Sequence, residues 1–372
     1  MAKVLLVRSH HNSSRVIKEA ESLSKYGYDV DLFVWNRETN VKRETKEPYY
    51  HKYEYGLKAP YGKFRLFFYW LVWWYAIIVH LMKNDYNVVH VCGFDSYIPS
   101  IIGKIIKRYL IVYDIFDFFG ESMPSNTPKT LQKFVSDVER HLIRFADAVI
   151  LVDDSRRVQL KQAKFDRVEI IMNCVSDELP NIMNEIVKEN TIFTIFYGGM
   201  LSTTRGLIQL IDSVKDKQDM HLIIAGSGED ESMLRSMISG CENIEFLGQI
   251  SYRDALKHTY HANVVFALYD PIIPNNRLAS PNKLFEAMMC ATPVIVNRET
   301  TMSNIVKNYD CGIIIEYSNV DALKDALLRL KNNPLLCKRL GDNGRLAFKK
   351  RYNWQIMEDR LINLYNTLCA GK

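Results

Sequence analysis

Short runs rich in Val, Ile and Leu alternate with amphipathic stretches along nearly the whole chain, and no other feature restricts the fold so strongly. Parallel strands need crossover connections, and helices are the usual ones. The first half reads as strands at 3–8, 29–35, 88–91, 110–113, 148–152 and 168–172, with helices at 14–26, 64–83, 96–107, 130–145 and 154–163. The Tyr-rich stretch between the second strand and the 64–83 helix reads as irregular. The polar segment Ser176 to Asn190, with Pro180 inside it, reads as a boundary. A second alternation follows, with strands at 192–197, 221–225, 244–247, 263–268, 293–296 and 312–315. Its helices fall at 205–215, 229–239, 252–261, 282–290, 302–308 and 319–331, and Ser251 to Asp254 forms a capping box for the third. The expected architecture is α/β, two doubly wound Rossmann-like domains facing across a cleft, with ligands beyond the carboxyl ends of the strands.

A length of 372 residues suits two domains. The net charge of +5 is too mild to make nucleic acid a partner, but the surplus is uneven. Residues 41–65 hold seven basic side chains against three acidic ones, and residues 66–82 carry no formal charge. That uncharged stretch is short for a membrane span, which needs roughly 20 apolar residues. A buried helix and a face lying on the membrane both remain open, the latter making 41–82 a peripheral membrane contact. Seven scattered cysteines without a C-x-x-C pair fit a reducing compartment, and only four apolar residues precede Arg8, too few for a signal-peptide core. The expected location is the cytoplasm, with association to the inner face of the plasma membrane left open.

Phe196 to Gly206 has the form of a strand, a glycine loop at Gly198 and Gly199, and a helix start at Arg205. Glycines let a ligand approach the backbone, helix N–H groups attract anions, and a guanidinium adds a forked donor for a diphosphate. A plain β-α turn with a surface arginine fits the same letters. Ala225 to Gly228, with Gly226, is a second glycine turn, and Gly248-Gln249-Ile250 is a strand end that could meet a base. In Asn276 to Val296, Ser280, Asn282, Lys283, Leu284 and Glu286 surround a helix start at Pro281. Lys283 and Glu286, three residues apart, share a face. The ammonium can neutralise phosphate and the carboxylate can hold a ribose diol; an ordinary surface ion pair is the alternative.

In the first half the candidates for contact with a second substrate are His10, His11 and Asn12 after the first strand, and His90 at the end of another. A hydrogen-bonded loop role is an equal reading of His10 and His11, and a strand-end histidine such as His90 is more often a satisfied interior one than an acid. Asp117 is the candidate if a protein base exists, against a loop carboxylate paired with a cation. Asp29-Val-Asp31 begins a strand instead of ending one, so no metal and no cofactor are expected.

Taken in order, Gly-Gly-Met-Leu-x-x-x-Arg-Gly, Ile-Ile-Ala-Gly-Ser-Gly-Glu, Ile-Glu-Phe-Leu-Gly, Ser-Pro-Asn-Lys-Leu-Phe-Glu-Ala-Met and Thr-Pro-Val-Ile resemble the GT-B glycosyltransferases of family 4 (glycosyl transferases group 1). Lys3 to Arg8, Gly27 to Val30, Val88 to His90, Ala146 to Ile150 and the Met172-Asn173 hinge are similar to that family's acceptor domain. The resemblance implies an acceptor domain at 1–178, a nucleotide-sugar donor domain at 190–350 and a helix at 351–372 packing back on the first domain. It implies that Arg205 takes the basic phosphate position, Glu286 the ribose and the Gly248 to Ile250 turn the base. Gly198, Gly199, Gly226, Ser280, Asn282, Lys283 and Leu284 complete the donor set. Four departures stand out: Met200 where Arg is frequent, Leu278 in place of the first Glu of E-x7-E, no Gly-Gly in the loop 9–15, and Cys92 and Phe116 where relatives often carry His in the acceptor domain.

The implied reaction moves a hexose to a glycan or polyprenyl-linked acceptor, retaining and metal-independent, in polysaccharide or glycan biosynthesis. Arg205, Lys283 and the helix terminus would stabilise the leaving diphosphate, where loss of one donor typically costs about 3 kcal/mol. A GT-B sugar-nucleotide epimerase and a non-catalytic nucleotide-sugar-binding partner are the alternatives.

Overall fold

The computed structural model describes residues 2–11, 13–59, 66–123, 127–161, 163–185 and 192–370. They form two compact units: residues up to Met172 together with those from Met357 on, and Asn173–Ile356.

The first unit is built on eight strands, β1 (Lys3–Arg8), β2 (Asp29–Asn36), β3 (Arg43–Lys46), β4 (His51–Gly56), β5 (Val88–Cys92), β6 (Leu110–Ile115), β7 (Ala148–Leu151) and β8 (Val168–Ile170). Their order is β3-β4-β2-β1-β5-β6-β7-β8, parallel apart from the β3–β4 pair. Val4 to Val7 are wholly buried because both faces of the sheet are covered, which is why these strands read as apolar runs and not as alternations. On one face Leu5, Val7, Val89 and Val91 pack with α2 (Leu66–Lys83) and α3 (Phe94–Lys107). On the other, His90 meets α1 (Ser14–Lys25) and the closing helix Trp354–Ala370.

The second unit has six parallel strands, β9 (Phe193–Gly198), β10 (Met220–Ala225), β11 (Ile244–Gly248), β12 (Val264–Ala267), β13 (Val294–Asn297) and β14 (Gly312–Ile315). The order β11-β10-β9-β12-β13-β14 reverses direction between β9 and β12. In open α/β sheets that switch point is where a crevice opens at the strands' carboxyl ends. The first sheet has its own switch point between β1 and β5.

Four expectations change. The stretch read as irregular holds β3 and β4, an edge hairpin in which Tyr53 and Tyr55 turn inward while their neighbours carry charge. The helix expected from 205 begins at Leu207, because Gly206 at φ +69° separates it from a 3-10 turn at Thr203–Arg205. The stretch before Tyr352 is a long helix, Pro334–Arg351, that the periodicity left unassigned. Finally, residues 173–178 join the second unit: Val175 bridges Asn353, Asp177 pairs with Arg345 at 2.7 Å, and the Glu178 N–H reaches the Met289 sulfur.

Helix α2 is amphipathic by burial although nearly uniformly apolar in sequence. Trp73 is wholly buried, stacked on Phe33 at 4.9 Å and donating to Ser96 at 3.1 Å, and the Trp74 indole donates to the Asp95 carbonyl. Phe68, Leu71, Val72 and Tyr75 are exposed at the i, i+3, i+4, i+7 spacing of a single helix face. Among the described residues no helix is long and apolar enough to cross a membrane.

Candidate active site

Three sequence segments converge at the β9/β12 switch point. The first is the loop after β9. Gly199 adopts φ +147° and its N–H bonds the Ala225 carbonyl, so the chain folds back beside β10. Gly226, at φ +136°, sits against the Gly199 carbonyl, and any Cβ there would collide with it. Close backbone packing therefore explains Gly226 without a ligand. Gly198 is crowded in the same manner by the Phe196 ring.

The amino end of this segment differs from the anion cradle that the sequence suggests. The Thr203 N–H donates to Asp230, that of Arg205 to the Ser202 carbonyl and that of Gly206 to the Thr203 carbonyl. Backbone donors of the turn are already used, which moves the burden of anion binding to side chains.

Those side chains are Arg205 and Lys283. The Arg205 guanidinium lies 4.1 Å from the centre of the Tyr269 ring and donates to Asn276 Oδ1 at 2.9 Å. The buried Asn276 amide in turn donates to the Asp270 carbonyl at 3.0 Å. Lys283, in the first turn of the helix Asn282–Met289, places its ammonium 3.9 Å from the Tyr197 ring centre and 5.7 Å from that of Tyr269. A Cβ on Gly199 would lie 3.2 Å from Lys283 Nζ, so the ammonium reaches the β9 loop. Tyr269 itself is clamped by Asn297, whose side chain accepts from its N–H at 2.9 Å and donates to its carbonyl at 3.0 Å. Two cations thus stand over one tyrosine, held by rings and a neutral amide, an arrangement that keeps both charges available for an anion.

Burial is the chief reason that the Lys283 pKa falls to about 7; the neighbouring Arg205 charge lowers it further and Glu286 opposes both. The sign of the consequence follows. A diphosphate would be met by the protonated form, so affinity for a diphosphate ligand is expected to weaken as pH rises above about 7, and Lys283→Arg should abolish that alkaline loss because a guanidinium stays charged. Calorimetric titration with UDP over pH of about 6 to 9 checks this, and a flat wild-type profile would refute it. The empty site also costs stability while Lys283 is charged, so stability from this group rises between about 7 and the ordinary lysine range, where the unfolded chain binds more protons.

Glu286 accepts a hydrogen bond from the Tyr252 hydroxyl, which burial and that carboxylate push above the ordinary tyrosine value. The Ser280 hydroxyl is enclosed without a hydrogen-bond partner among the described residues. Asn282 and Gln249 are exposed, while Ile250 packs against Phe196 and Ile223. Leu284 departs from expectation: its side chain is wholly in the core and its N–H is bonded to the Pro281 carbonyl, so it has nothing to offer a nucleotide.

In the first unit, His90 is corrected from an acceptor-side residue to an interior one. It is fully buried, Nδ1 hydrogen-bonded to the Tyr365 hydroxyl at 2.8 Å and Nε2 lying 3.6 Å from Asp114. Glu19, His90, Cys92 and Asp114 cluster closely enough to suggest metal ligands, but the Arg15 guanidinium already sits 2.9 Å from each carboxylate. A second cation there would face that fixed charge at contact range. Asp117 meets Arg156 at 2.9 Å, the pairing alternative named for it. His10 is open to solvent on one side, with Ser9 Oγ 3.2 Å from its Nδ1. Its other side is enclosed, and that burial, reinforced by Arg37 and Arg8, holds its pKa at about 4. His11 is half-buried, and Asn12 lies outside the described residues.

Sequence reasoning passed over Tyr197, Tyr269, Asn297 and the role of Asn276. Asn276 opens a quoted motif, yet nothing in its spacing pairs it with Arg205, 71 positions away.

The profile of glycosyl transferases group 1 matches residues 180–347, and that of Glycosyltransferase Family 4 matches residues 13–179. An uncharacterized glycosyltransferase of Methanocaldococcus jannaschii is 24% identical over 75% of this chain and 77% of its own. The phosphatidyl-myo-inositol mannosyltransferase of Mycobacterium leprae is 28% identical, with 60% of this chain and 59% of that one covered. Among solved structures, sucrose-phosphate synthase from Thermosynechococcus elongatus superposes with a TM-score of 0.80 at 17% identity, covering 100% of both chains. Anabaena HepE in complex with UDP gives 0.72 at 14% identity, over 99% of this chain and 100% of its own, and these two likenesses establish a GT-B fold. With the motifs of both halves and both profiles in agreement, the chain belongs to glycosyltransferase family 4 (glycosyl transferases group 1) and is a glycosyltransferase.

Proposed function

We propose that the protein transfers a hexose from a nucleoside-diphosphate donor, UDP- or GDP-linked, to a glycan or polyprenyl-linked acceptor in polysaccharide biosynthesis, with retention and without a metal. The observation that carries this reading is the pair Arg205 and Lys283 on the Tyr269 ring, two cations held by neutral groups at the switch point of the second sheet. In the reaction the bond from the anomeric carbon to the diphosphate oxygen breaks and a bond to the acceptor oxygen forms. Negative charge grows on the departing diphosphate, where the two cations stabilise it. The acceptor hydroxyl proton passes to a phosphate oxygen of that leaving group, so Asp117, paired with Arg156, is not needed as a base.

Names among the relatives support a lipid or capsular acceptor: the Mycobacterium leprae enzyme is a phosphatidyl-myo-inositol mannosyltransferase, and CapM of Staphylococcus aureus serves capsular polysaccharide biosynthesis. Purified protein supplied with UDP- and GDP-hexoses should release the nucleoside diphosphate fastest when lipid extract is added. Isomerisation of the sugar, or binding without turnover, would overturn the proposal in favour of an epimerase or a binding partner.

The exposed stripe Phe68, Leu71, Val72 and Tyr75 supports a cytoplasmic protein that rests on the inner membrane face. Phe68→Ser with Tyr75→Ser should shift the protein from sedimenting with anionic vesicles to the supernatant while its thermal melt stays within a few degrees. Unchanged sedimentation would end the membrane reading. Trp73, although the more conspicuous residue in the sequence, is unsuitable for this test because it is core.

A further inference from the structure

The carboxyl ends of β2, β1 and β5, three adjacent strands at the first unit's switch point, gather two guanidiniums. Arg37 follows β2, is buried against the Trp35 ring at 4.4 Å and meets Asp95 at 3.7 Å. Arg8 ends β1, packs on Phe116 at 4.0 Å, and its Nε is buried with no hydrogen-bond partner among the described residues. Gly93, at φ +102°, precedes the 14-residue α3 without a side-chain cap on that helix. A Cβ on Gly93 would lie 3.3 Å from Asp95 Oδ1 and 4.0 Å from Arg8 Nη1, so glycine keeps the space between them open.

Among the described residues the ion pairs leave a positive balance: Arg37 meets Asp95, Arg8 meets no carboxylate within 4 Å, and burial keeps the neighbouring His10 ring neutral at physiological pH. Arg15 also reaches Phe116, at 4.7 Å, but its charge is committed to Glu19 and Asp114. Two guanidiniums, a helix start without a side-chain cap and an opening at His10 make a receptor for a tetrahedral dianion, which would displace the Asp95 carboxylate from Arg37.

We infer that this crevice binds a phosphate group of the acceptor, so that the acceptor is a phosphate ester or diphosphate and not a neutral glycan. The inference rests on the reading that the first unit holds the acceptor, and it is independent of the donor groups around Arg205.

Inorganic pyrophosphate, titrated calorimetrically into the full-length protein at low salt, is the probe. Wild type should show two sites. Arg8→Gln should lose one of them, weakened about tenfold or more, while Arg8→Lys retains it. Arg205→Ala should lose the other. Two sites persisting in Arg8→Gln would overturn the inference. Two sites persisting in Arg205→Ala, with one lost in Arg8→Gln, would instead overturn the donor reading and leave this one standing. Should Arg8→Gln fail to melt cooperatively, His10→Asp places an opposing charge on the exposed rim and must give the same loss. Competition then separates the sources: a soluble hexose phosphate, or a polyprenyl diphosphate in phosphatidylcholine vesicles, should displace pyrophosphate from the Arg8 site. Displacement by neither would also overturn it.

Discussion

Arg205→Ala is expected to lower turnover with a nucleotide-sugar donor by about a hundredfold or more, with the thermal melt nearly unchanged. The fold tolerates the loss because Arg205 lies in a 3-10 turn, half-exposed, and its ties are to a ring face and one amide. Activity would not, because under the proposed reaction the breaking bond leaves charge on a diphosphate beside a turn whose Thr203, Arg205 and Gly206 N–H groups are already committed. Removing one such donor from an anionic transition state typically costs about 3 kcal/mol. Lys283 cannot compensate, since near neutral pH only part of it is charged before the donor arrives. A steady-state assay with saturating donor measures the effect. Turnover within a factor of a few of wild type would show that the diphosphate does not sit here.

The second large effect is on stability. A chain ending at Ile356 should fail to give a cooperative melt, because Met357, Leu361, Ile362, Leu364 and Tyr365 are all buried within the first unit. Deleting one large core side chain costs about 2 to 5 kcal/mol, and five together exceed the whole stability of a typical domain, about 5 to 15 kcal/mol. Polar ties would go as well: Tyr365 to His90, Asn366 to Tyr28 at 2.9 Å, and Arg360 to the Ile170 carbonyl at 3.0 Å. Left behind would be His90 with neither ring nitrogen satisfied and the Asp114–Arg15–Glu19 cluster open to water. Near-ultraviolet circular dichroism distinguishes this from mere loosening. A truncated chain melting close to the intact protein would disprove it.

Strand positions were readable because parallel strands covered on both faces must be continuously apolar, as Val4 to Val7 and Val294 to Val296 are. The hairpin Arg43–Gly56 was not, since its pattern of charge and tyrosine has Thr45 as its single β-branched residue and belongs to a sheet edge. Gly206 read as the second residue of a helix at 205–215, and only its positive φ reveals that the helix starts after it. His90 and Leu284 illustrate a related gap: a residue at a strand end or in a motif is equally able to face the core, and the neighbours that decide, Tyr365 among them, are remote in sequence. The cations of the donor site were legible as types in place, whereas their aromatic and amide holders were not. Arg8 did carry a signal, a charge closing a wholly buried parallel strand, where a side chain projects toward the crevice.

The interrupted chain path of the first unit bears on how the protein is born. During synthesis the ribosome delivers the portion up to Met172 before the second unit, yet this portion lacks the helix that seals His90, which emerges after all of Asn173–Ile356. The contiguous unit can mature on the nascent chain, while the earlier one waits with an exposed ionic seam. Chaperone dependence should therefore concentrate on the half that is translated first.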